Sequence, residues 1–464
     1  MEDRNNQAAA TLQRACADLR VVTEPAVLES HGRDWTRFRE PRPAAVAFPE
    51  SVRQVQALVA AAAASKIALV PSGGRTGLSG GAVAADGEVV VSFDRLRRVL
   101  DFNRIDRTLT VEAGVVTAAV QERARSEGLY YPVSFAAEGS SQIGGNIATN
   151  AGGIRVLRYG LTREQVAGLK VVTGRGDVLE CNRGLVKNAS GYDLRHLFTG
   201  SEGTLGLIVE ATLRLTDPPP PSKVLLLGVE SMDALMMIFG ALRTRLDLTA
   251  FEFFTDRALH HVRAGQGLPA PLDTDCPLYV IAEFDCPSES QEDAAMDCFS
   301  SCAEQGWLLD GVMSQSDRQI AQLWRYRESI SESISHFPPY KNDLSVTVSR
   351  VPEFLRRMDR VIGEICPDFE VVWYGHIGDG NLHMNILKPE GMDLQTFESR
   401  SHEISDKTYA LTREFGGSIS AEHGIGLLKR PWLNRVRSAA DIEFMRGIKR
   451  VFDPAGIFNP GKLL

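Results

Sequence analysis

The sequence lacks several features that would assign it to a membrane, secreted or nucleic-acid-binding class. Its longest weakly apolar stretch, residues 55–64, is about half as long as a membrane-spanning helix. The first residues are polar and acidic, without the apolar core of a signal peptide or the bias of a transit peptide, so we expect a cytoplasmic protein. The formal net charge of −8 offers no basic surface to phosphates and argues against a nucleic-acid partner.

Cysteine is also scarce, with seven residues scattered over the chain. An odd, dispersed set indicates free thiols in a reducing compartment rather than a disulfide framework. Cys298 and Cys302 are four residues apart on a predicted helix, which leaves a metal or redox role conceivable. No second close pair accompanies them, so the pattern favours two ordinary thiols.

The length of 464 residues exceeds the size at which one hydrophobic core stops growing, so several domains are expected. Four consecutive prolines between Thr216 and Lys223 cannot continue a helix or strand and mark the clearest boundary. Beyond them, apolar runs such as LTAFEFF and LYVIAEF alternate with helical stretches, which indicates an antiparallel sheet. We predict an α+β fold made of a helical arm (1–41), a glycine-rich domain (42–217), an α+β domain (218–410) and a C-terminal segment (411–464).

Glycine-rich stretches in the first domain carry the first functional signal. PSGGRTGLSGG (71–81) follows a predicted strand, and its backbone N–H groups can form a nest suited to a pyrophosphate. Alone, a flexible surface loop explains it equally well, because it is neither a dinucleotide fingerprint nor a P-loop. EGSSQIGGNIATNAGG (138–153) offers little side chain to a core. A large planar ligand explains it better, with hydrogen bonds from Asn146, Thr149 and Asn150.

A third stretch, TGSEGTLGLI (199–208), completes an ordered set that resembles the FAD-binding domain of the vanillyl-alcohol oxidase/PCMH flavoprotein superfamily. The resemblance covers about residues 42–216 and implies FAD in an elongated groove, with its pyrophosphate on the amides of 72–78. Covalent members carry His or Cys near the first motif, where this chain has Arg75-Thr76, so noncovalent FAD is expected. The residues expected to bind it are Pro71, Ser72, Gly73, Gly74, Arg75, Thr76, Gly77, Leu78, Ser140, Gly144, Gly145, Asn146, Thr149, Asn150, Gly152, Gly153, Tyr159, Glu202, Gly203, Ile208 and Asn459.

Histidine is rare, with nine residues in the chain, and three of them lie in glycine-rich contexts. His376 and His383 occur in YGHIGDGNLHMN, and His423 follows Glu422 in SAEHGIG. Two imidazoles and a carboxylate are a common zinc set that leaves a position open for water or substrate. On spacing alone, ordinary hydrogen-bonded loop histidines remain the better explanation.

Five short segments resemble a narrower group, the D-lactate/D-2-hydroxyglutarate dehydrogenase branch, over nearly the whole chain. They are WRYRE, YKNDLS, GHIGDGNLHMN, SAEHGIG and FNPGK. The resemblance implies metal ligands at His376, His383 and Glu422. It also implies a general base at His423 and a polar group near the substrate at Asn385.

The same resemblance implies a pocket for substrate carboxylates. Arg327 matches a carboxylate ligand and Lys341 a second cation, whereas Arg325 is explained by a solvated helical face. Ser331 matches a hydroxyl residue and, four residues after Arg327, is expected on the same helical face. Two cations besides a metal favour a dicarboxylate, because a second buried carboxylate needs its own partner.

The resulting expectation is an FAD- and metal-dependent dehydrogenase that oxidises D-2-hydroxyglutarate to 2-oxoglutarate. The substrate's hydroxyl and carboxylate would bind the metal, His423 would remove the hydroxyl proton, and hydride would pass to flavin N5. Zinc is expected, although cobalt and manganese suit the same ligands. The resemblance implies an electron-transfer flavoprotein or quinone-linked acceptor rather than NAD, and a homodimer is left open.

Three alternatives stay open at this point. A D-lactate, D-malate or glycolate dehydrogenase of the same family would differ in substrate alone. A metal-dependent hydrolase with an unrelated glycine-rich domain would lack flavin absorbance. A non-catalytic subunit of a larger complex would be inactive, but the matches at all three metal ligands and at His423 argue against it.

Overall fold

The computed structural model describes residues 2–36, 38–337 and 339–464. It divides into two compact units. The first unit comprises the chain up to Gly153, Gly160–Pro218 and Glu422–Leu464, and the second comprises Ile154–Tyr159 and Pro219–Ala421. The boundary between Pro218 of the first unit and Pro219 of the second therefore lies within the four consecutive prolines.

The strands are β1 (Arg20–Val22), β2 (Ala45–Phe48), β3 (Leu69–Ser72), β4 (Val89–Ser92), β5 (Val99–Asn103), β6 (Thr108–Glu112), β7 (Val166–Thr173), β8 (Val178–Arg183), β9 (Gly206–Arg214), β10 (Ser222–Val229), β11 (Leu248–Thr255), β12 (Leu278–Asp285), β13 (Asp310–Met313), β14 (Tyr340–Ser345), β15 (Glu370–Gly375) and β16 (Asn381–Leu387). The helices are α1 (Glu2–Ala15), α2 (Pro25–His31), α3 (Val52–Ser65), α4 (Thr117–Ser126), α5 (Ile143–Thr149), α6 (Val156–Tyr159), α7 (Thr162–Gln165), α8 (Arg195–Phe198), α9 (Met232–Arg245), α10 (Asp256–Gln266), α11 (Glu289–Glu304), α12 (Asp317–Glu328), α13 (Ile330–Ser333), α14 (Val351–Ile365), α15 (Leu394–Glu414), α16 (Leu433–Val436) and α17 (Ala439–Phe452).

The first unit contains two sheets. One has the order β1-β2-β4-β3, in which β2 and β3 run parallel to β4 and β1 runs antiparallel to β2. The other is antiparallel, with the order β5-β6-β9-β7-β8. The N-terminal arm therefore contains a strand as well as α1 and α2, and that strand extends the first sheet.

Local sequence explains helix α3. The Ser51 side chain accepts a hydrogen bond from the Gln54 N–H and so caps the first turn. Val55, Leu58 and Val59 recur at helical spacing and are fully buried. The helix ends where Lys66 takes a left-handed conformation with φ of 53°.

Helix α5 was not expected, because its two glycines each cost about 1 kcal/mol of helix propensity relative to alanine. Ile143 and Ile147, four residues apart, are fully buried and anchor this one face in the core. Tertiary packing therefore overrides propensity here, and Asn150 ends the helix with a left-handed φ of 52°.

The second unit is built on one antiparallel sheet with the order β13-β10-β12-β11-β15-β16-β14. This confirms the antiparallel sheet and the α+β class expected for the region after the prolines. One face of the sheet packs a core with helices α10, α12 and α13, to which Val224, Phe254, Trp324, Ile330 and Val372 belong.

All seven cysteines are buried free thiols, including Cys298 and Cys302 on α11. Among the described helices, none is both long and apolar enough to cross a bilayer.

Candidate active site

The loop after β3 lies directly against the second glycine-rich stretch. A Cβ atom on Gly74 would stand 2.1 Å from the Ser140 carbonyl oxygen and 2.8 Å from Ser141 Cα, so only glycine fits there. The next residue, Arg75, has a φ of 60°, and its Nη1 lies 3.3 Å from Asp94 Oδ2. The backbones of the two expected FAD-binding stretches are thus in close contact within the first unit.

Two buried polar atoms in this region lack hydrogen-bond partners among the described residues. They are Ser72 Oγ, at the end of β3, and Gln142 Oε1, just before α5. Gln142 Nε2 donates to Asp94 Oδ1 at 2.7 Å, which fixes the amide. Unpaired buried acceptors call for a ligand or water. Together with the glycine-rich loop, they fit a bound dinucleotide such as FAD.

The polar residues expected along the flavin support the backbone around α5. Asn146 Nδ2 donates to Thr117 Oγ1 at 2.7 Å. Thr149 Oγ1 donates to the Gly145 carbonyl at 3.1 Å, and Asn150 Oδ1 accepts from the Arg163 N–H at 3.0 Å. These side chains therefore hold the shape of the stretch, and direct bonds to FAD stay a prediction.

Glu202 and Asn459 bind the C-terminal segment to the glycine-rich loop. Glu202 accepts hydrogen bonds from the N–H groups of Ile425 (2.8 Å) and Gly426 (2.7 Å). Asn459 Nδ2 donates to the carbonyls of Gly81 (3.0 Å) and Glu202 (2.8 Å). Both side chains bind protein backbone, and direct contacts of these two residues with FAD stay a prediction.

Five other residues expected to bind FAD lie after α5, at β9 and at the end of α6. Gly152 and Gly153 follow α5, Gly203 precedes β9 and Ile208 lies within it. Tyr159 ends α6 and belongs to the second unit.

Cross-strand register in the second unit brings the predicted substrate and metal residues onto one face of the sheet. Residues directly opposite each other, and those two apart along a strand, share a face. One row joins Lys341, Asn385 and Val372 across β14, β16 and β15, and the next joins Asp343, His383 and Tyr374. Ser345 pairs with Asn381 in a third row.

His376 follows β15 and His383 lies on β16, joined by a four-residue turn. The turn closes at Gly380, whose φ is 85° and where a Cβ would stand 2.1 Å from the Val346 carbonyl. The two imidazole rings meet edge to face with centroids 5.3 Å apart. His376 and His383, which are seven residues apart in the sequence, are therefore diagonal neighbours on one face of the sheet.

A buried carboxylate lies beside each imidazole, and the carboxylate of Glu252 is hydrogen-bonded to its histidine. His376 Nδ1 donates to Glu252 Oε1 at 2.7 Å, because a carboxylate only accepts. His383 Nδ1 lies 3.7 Å from Asp343 Oδ1, and Asp343 also accepts from Asn381 Nδ2 at 2.8 Å. Histidines that bind metals ordinarily donate their other ring N–H to such a partner. The donor set therefore fits a divalent metal, with nitrogen ligands that suit zinc.

Arg327, at the end of α12, is buried among aromatic and acidic groups. Its Nη2 lies 2.9 Å from Glu252 Oε2, and its guanidinium carbon lies 4.7 Å from the centre of the Tyr374 ring. Arg327 Nε is buried without a hydrogen-bond partner among the described residues. A guanidinium has five donors, so the ion pair with Glu252 leaves capacity for a ligand.

Lys341 and Ser331 are in contact, with Lys341 Nζ donating to Ser331 Oγ at 3.0 Å. Burial lowers the pKa of Lys341 from its ordinary value of 10.5. Burial raises the pKa of the Tyr374 hydroxyl, and Arg327, Ser331 and Asn385 oppose that shift. Asn385 Nδ2 is buried and has no hydrogen-bond partner in the described chain. Tyr374 therefore links the two expected cations.

Ser331 reaches this cluster from a separate short helix, α13, and not from the helix of Arg327. The single residue Ser329 lies between α12 and α13. The expectation of one continuous helical face is corrected accordingly, although the backbone bond from Ser333 N–H to the Ser329 carbonyl keeps the segment coiled.

Glu422 and His423 stand where the chain returns to the first unit. The preceding residues belong to the second unit, in which the Ala421 N–H donates to the Asp343 carbonyl at 3.3 Å. Glu422 is the residue that follows Ala421 in the chain. The roles of Glu422 as a metal ligand and of His423 as a base stay predictions.

Three residues of the cluster were missed from the sequence: Glu252, Asp343 and Tyr374. Asp343 and Tyr374 had a signal, since they alternate with Lys341 and His376 along the sequence. Glu252 had one as well, as the single charge within the apolar run LTAFEFF.

The comparison with protein families gives two matches that cover most of the chain. Residues 43–182 match the family described as FAD binding domain. Residues 218–463 match the family described as FAD linked oxidases, C-terminal domain. The two matches define the class as FAD-linked oxidoreductases.

Curated relatives match over nearly the full length. A protein of Xanthomonas citri pv. viticola named D-2-hydroxyglutarate dehydrogenase is 59% identical over 98% of this chain and 96% of its own. One of the same name from Stutzerimonas stutzeri is 56% identical over 96% of both chains. The mitochondrial D-2-hydroxyglutarate dehydrogenase of Danio rerio is 34% identical over 97% of this chain and 84% of its own. The chain belongs to the D-2-hydroxyglutarate dehydrogenase family.

Solved structures agree on the fold. p-Cresol methylhydroxylase matches with a TM-score of 0.77 at 16% identity, over 100% of this chain and 97% of that one. The 4-ethylphenol oxidase of Gulosibacter chungangensis matches with a TM-score of 0.75 at 18% identity, over 99% and 97%. These structures confirm the expected PCMH-type fold. The family matches and the curated relatives confirm the class of FAD-dependent D-2-hydroxy-acid dehydrogenases.

Proposed function

We propose that this protein oxidises D-2-hydroxyglutarate to 2-oxoglutarate. The observation that carries the proposal is a pair of cations, the buried Arg327 and the half-buried Lys341, which are linked through Tyr374 and Ser331 beside His376 and His383. Arg327 keeps donors beyond its ion pair with Glu252, and Lys341 contacts the neutral hydroxyl of Ser331, so each can bind one carboxylate of a dicarboxylate ligand. The names of the relatives support the same substrate.

Each of the following side chains would bind a different group of the substrate. Arg327 would hold one substrate carboxylate through the donors that Glu252 does not use, and Lys341 would hold the other while Ser331 fixes its position. The unpaired Asn385 amide N–H is available to a substrate oxygen. His423 would accept the proton of the substrate hydroxyl, since imidazole has a pKa near operating pH.

Two bound groups would supply the remaining chemistry. FAD, held noncovalently by the loop around Gly74, supplies the acceptor for the C2 hydride at flavin N5. A divalent metal, which we propose to be zinc on His376, His383 and Glu422, supplies Lewis acidity that lowers the pKa of the substrate hydroxyl. Support for the metal comes from the Glu252–His376 hydrogen bond of 2.7 Å.

We also propose an electron-transfer flavoprotein or a quinone-linked carrier as the electron acceptor. The family resemblance supports this acceptor class.

A substrate panel tests the proposal. The purified protein would be assayed with D-2-hydroxyglutarate, D-malate, D-lactate and glycolate, using an artificial electron acceptor. We expect the highest kcat/KM for D-2-hydroxyglutarate, with both monocarboxylates far lower. A preference for D-lactate or glycolate would contradict the dicarboxylate argument, and an absorbance spectrum without flavin bands would remove the oxidoreductase function altogether.

A further inference from the structure

The carboxylate of Glu252 contacts two functional groups at once. Its Oε1 accepts from His376 Nδ1 at 2.7 Å, and its Oε2 lies 2.9 Å from Arg327 Nη2. The side chain is 1% exposed, so water does not compete for either oxygen. One buried anion therefore joins the proposed metal ligand to the proposed carboxylate ligand.

Sheet register explains why Glu252 reaches both groups. Phe253 pairs with Gly375 and Phe254 with Tyr374, so Glu252 lies opposite His376 where β11 and β15 meet. The Gly378 N–H donates to the Phe251 carbonyl at 3.0 Å and holds the turn after β15 in place.

The tautomer that a neutral His376 ring adopts follows from this contact. A carboxylate has no hydrogen to donate, so Nδ1 must carry the proton and the lone pair of the neutral ring lies on Nε2. A metal binds the nitrogen that carries the lone pair. Arg327 also only donates, which matches the second oxygen of the same carboxylate.

We propose that Glu252 is the positioning residue of this site, which selects the metal-binding tautomer of His376 and orients Arg327 with the same group. The inference deepens the proposed function and rests on it. Glu252 touches neither substrate nor cofactor in this account, and its influence passes through its two partners.

Replacing Glu252 by glutamine tests the idea because glutamine keeps the shape and changes one acceptor into a donor. If the amide oxygen faces His376, the NH2 group meets Arg327, and two donors oppose each other. If the oxygen faces Arg327, the NH2 group meets His376 Nδ1, which must then accept. The second arrangement satisfies every partner, but it moves the imidazole proton to Nε2 and removes the lone pair that a metal needs.

The experiment uses the FAD-loaded protein stripped of metal, with Zn²⁺ alone as the probe. Zinc affinity would be measured against a competing chelator, and the His376 tautomer by nitrogen-15 NMR of the side chains. For Glu252→Gln we expect an affinity about 10- to 100-fold lower and a proton on Nε2 instead of Nδ1. The effect on zinc separates positioning from general destabilisation.

Glu283→Gln is the matched control. Glu283 lies on the adjacent strand β12, opposite Ala250 and on the same face, and it is also buried. It accepts from Trp324 Nε1 at 2.8 Å and Thr249 Oγ1 at 3.0 Å, away from His376 and Arg327. Its loss should lower stability and leave zinc affinity and the tautomer unchanged.

Glu252→Asp covers the case in which Glu252→Gln does not fold, because aspartate only accepts and should keep the proton on Nδ1. The inference is overturned if Glu252→Gln binds zinc like the wild type, if its His376 retains the Nδ1 proton, or if Glu252→Asp moves the proton. A wild type that fails to bind zinc would contradict the proposed metal instead, and the tautomer measurement would still decide the role of Glu252.

Discussion

Replacing Lys341 by alanine should change which substrate the enzyme prefers. Lys341 is half-buried and its Nζ donates to Ser331 Oγ at 3.0 Å, so it is partly desolvated and oriented before a substrate arrives. At an effective dielectric constant of about 20, two opposite charges about 4 Å apart attract by about 4 kcal/mol. Truncating one partner of a buried charge pair costs about 2–5 kcal/mol, a factor of about 30 to 4,000. We expect kcat/KM for D-2-hydroxyglutarate to fall by that factor.

The assay compares D-2-hydroxyglutarate with D-lactate, which has no second carboxylate. D-lactate should lose no more than about two- to threefold, the effect of ~0.5 kcal/mol. Lys388→Ala is the control, since Lys388 Nζ bonds only local carbonyls of Pro389 and Met392 among its described hydrogen bonds. Equal losses for both substrates in Lys341→Ala would refute the assignment of Lys341 to the second carboxylate.

The same lysine predicts a pH dependence. Burial lowers its pKa below the ordinary 10.5, so the charge is present at low pH and is lost as pH rises through the lowered value. The KM for D-2-hydroxyglutarate should therefore rise at alkaline pH before that for D-lactate does. Parallel pH profiles for the two substrates would contradict this reasoning.

Three other substitutions probe the remaining parts of the site. Gly74→Ala should lose most of its flavin absorbance per protein, because its Cβ would stand 2.1 Å from the Ser140 carbonyl. Gly139→Ala is the control and should keep the flavin, since no atom lies within 4 Å of its Cβ. Equal flavin retention in the two variants would contradict the backbone contact. His423→Asn should lower kcat by about 10²- to 10⁴-fold at unchanged FAD content, and a smaller loss in single-turnover measurements would exclude it as the base. Tyr374→Phe keeps the ring beneath Arg327 and loses the hydroxyl between Ser331 and Asn385. The KM should rise about 2- to 13-fold, the effect of 0.5–1.5 kcal/mol, with little change in kcat. A change in kcat alone would argue against a binding role.

Much of the fold was predictable from local pattern. The apolar runs LTAFEFF and LYVIAEF after the prolines became β11 and β12 of the antiparallel sheet that the pattern predicts. Helix α5 was not predictable, because its glycines oppose a helix and only the burial of Ile143 and Ile147 reveals why one forms. The strand in the N-terminal arm is three residues long, too short to carry a period.

The candidate site was predictable in its parts and not in its arrangement. His376, His383, Arg327 and Lys341 were all identified through motifs. Glu252 was not, because 124 residues separate it from His376 and only the pairing of β11 with β15 brings them together. Register across a sheet depends on long-range pairing, which alternation along a single strand does not specify.

Anaerobic reduction of the bound flavin tests the central claim most directly. Purified protein would be mixed with D-2-hydroxyglutarate in the absence of oxygen, before and after metal removal by a chelator, and the absorbance spectrum and the 2-oxo acid product would be measured. We expect bleaching of the flavin bands with one 2-oxoglutarate formed per FAD. Chelation should abolish that bleaching with the FAD still bound, and adding Zn²⁺ should restore it. Bleaching that persists after complete metal removal, or no bleaching by D-2-hydroxyglutarate at all, would contradict it.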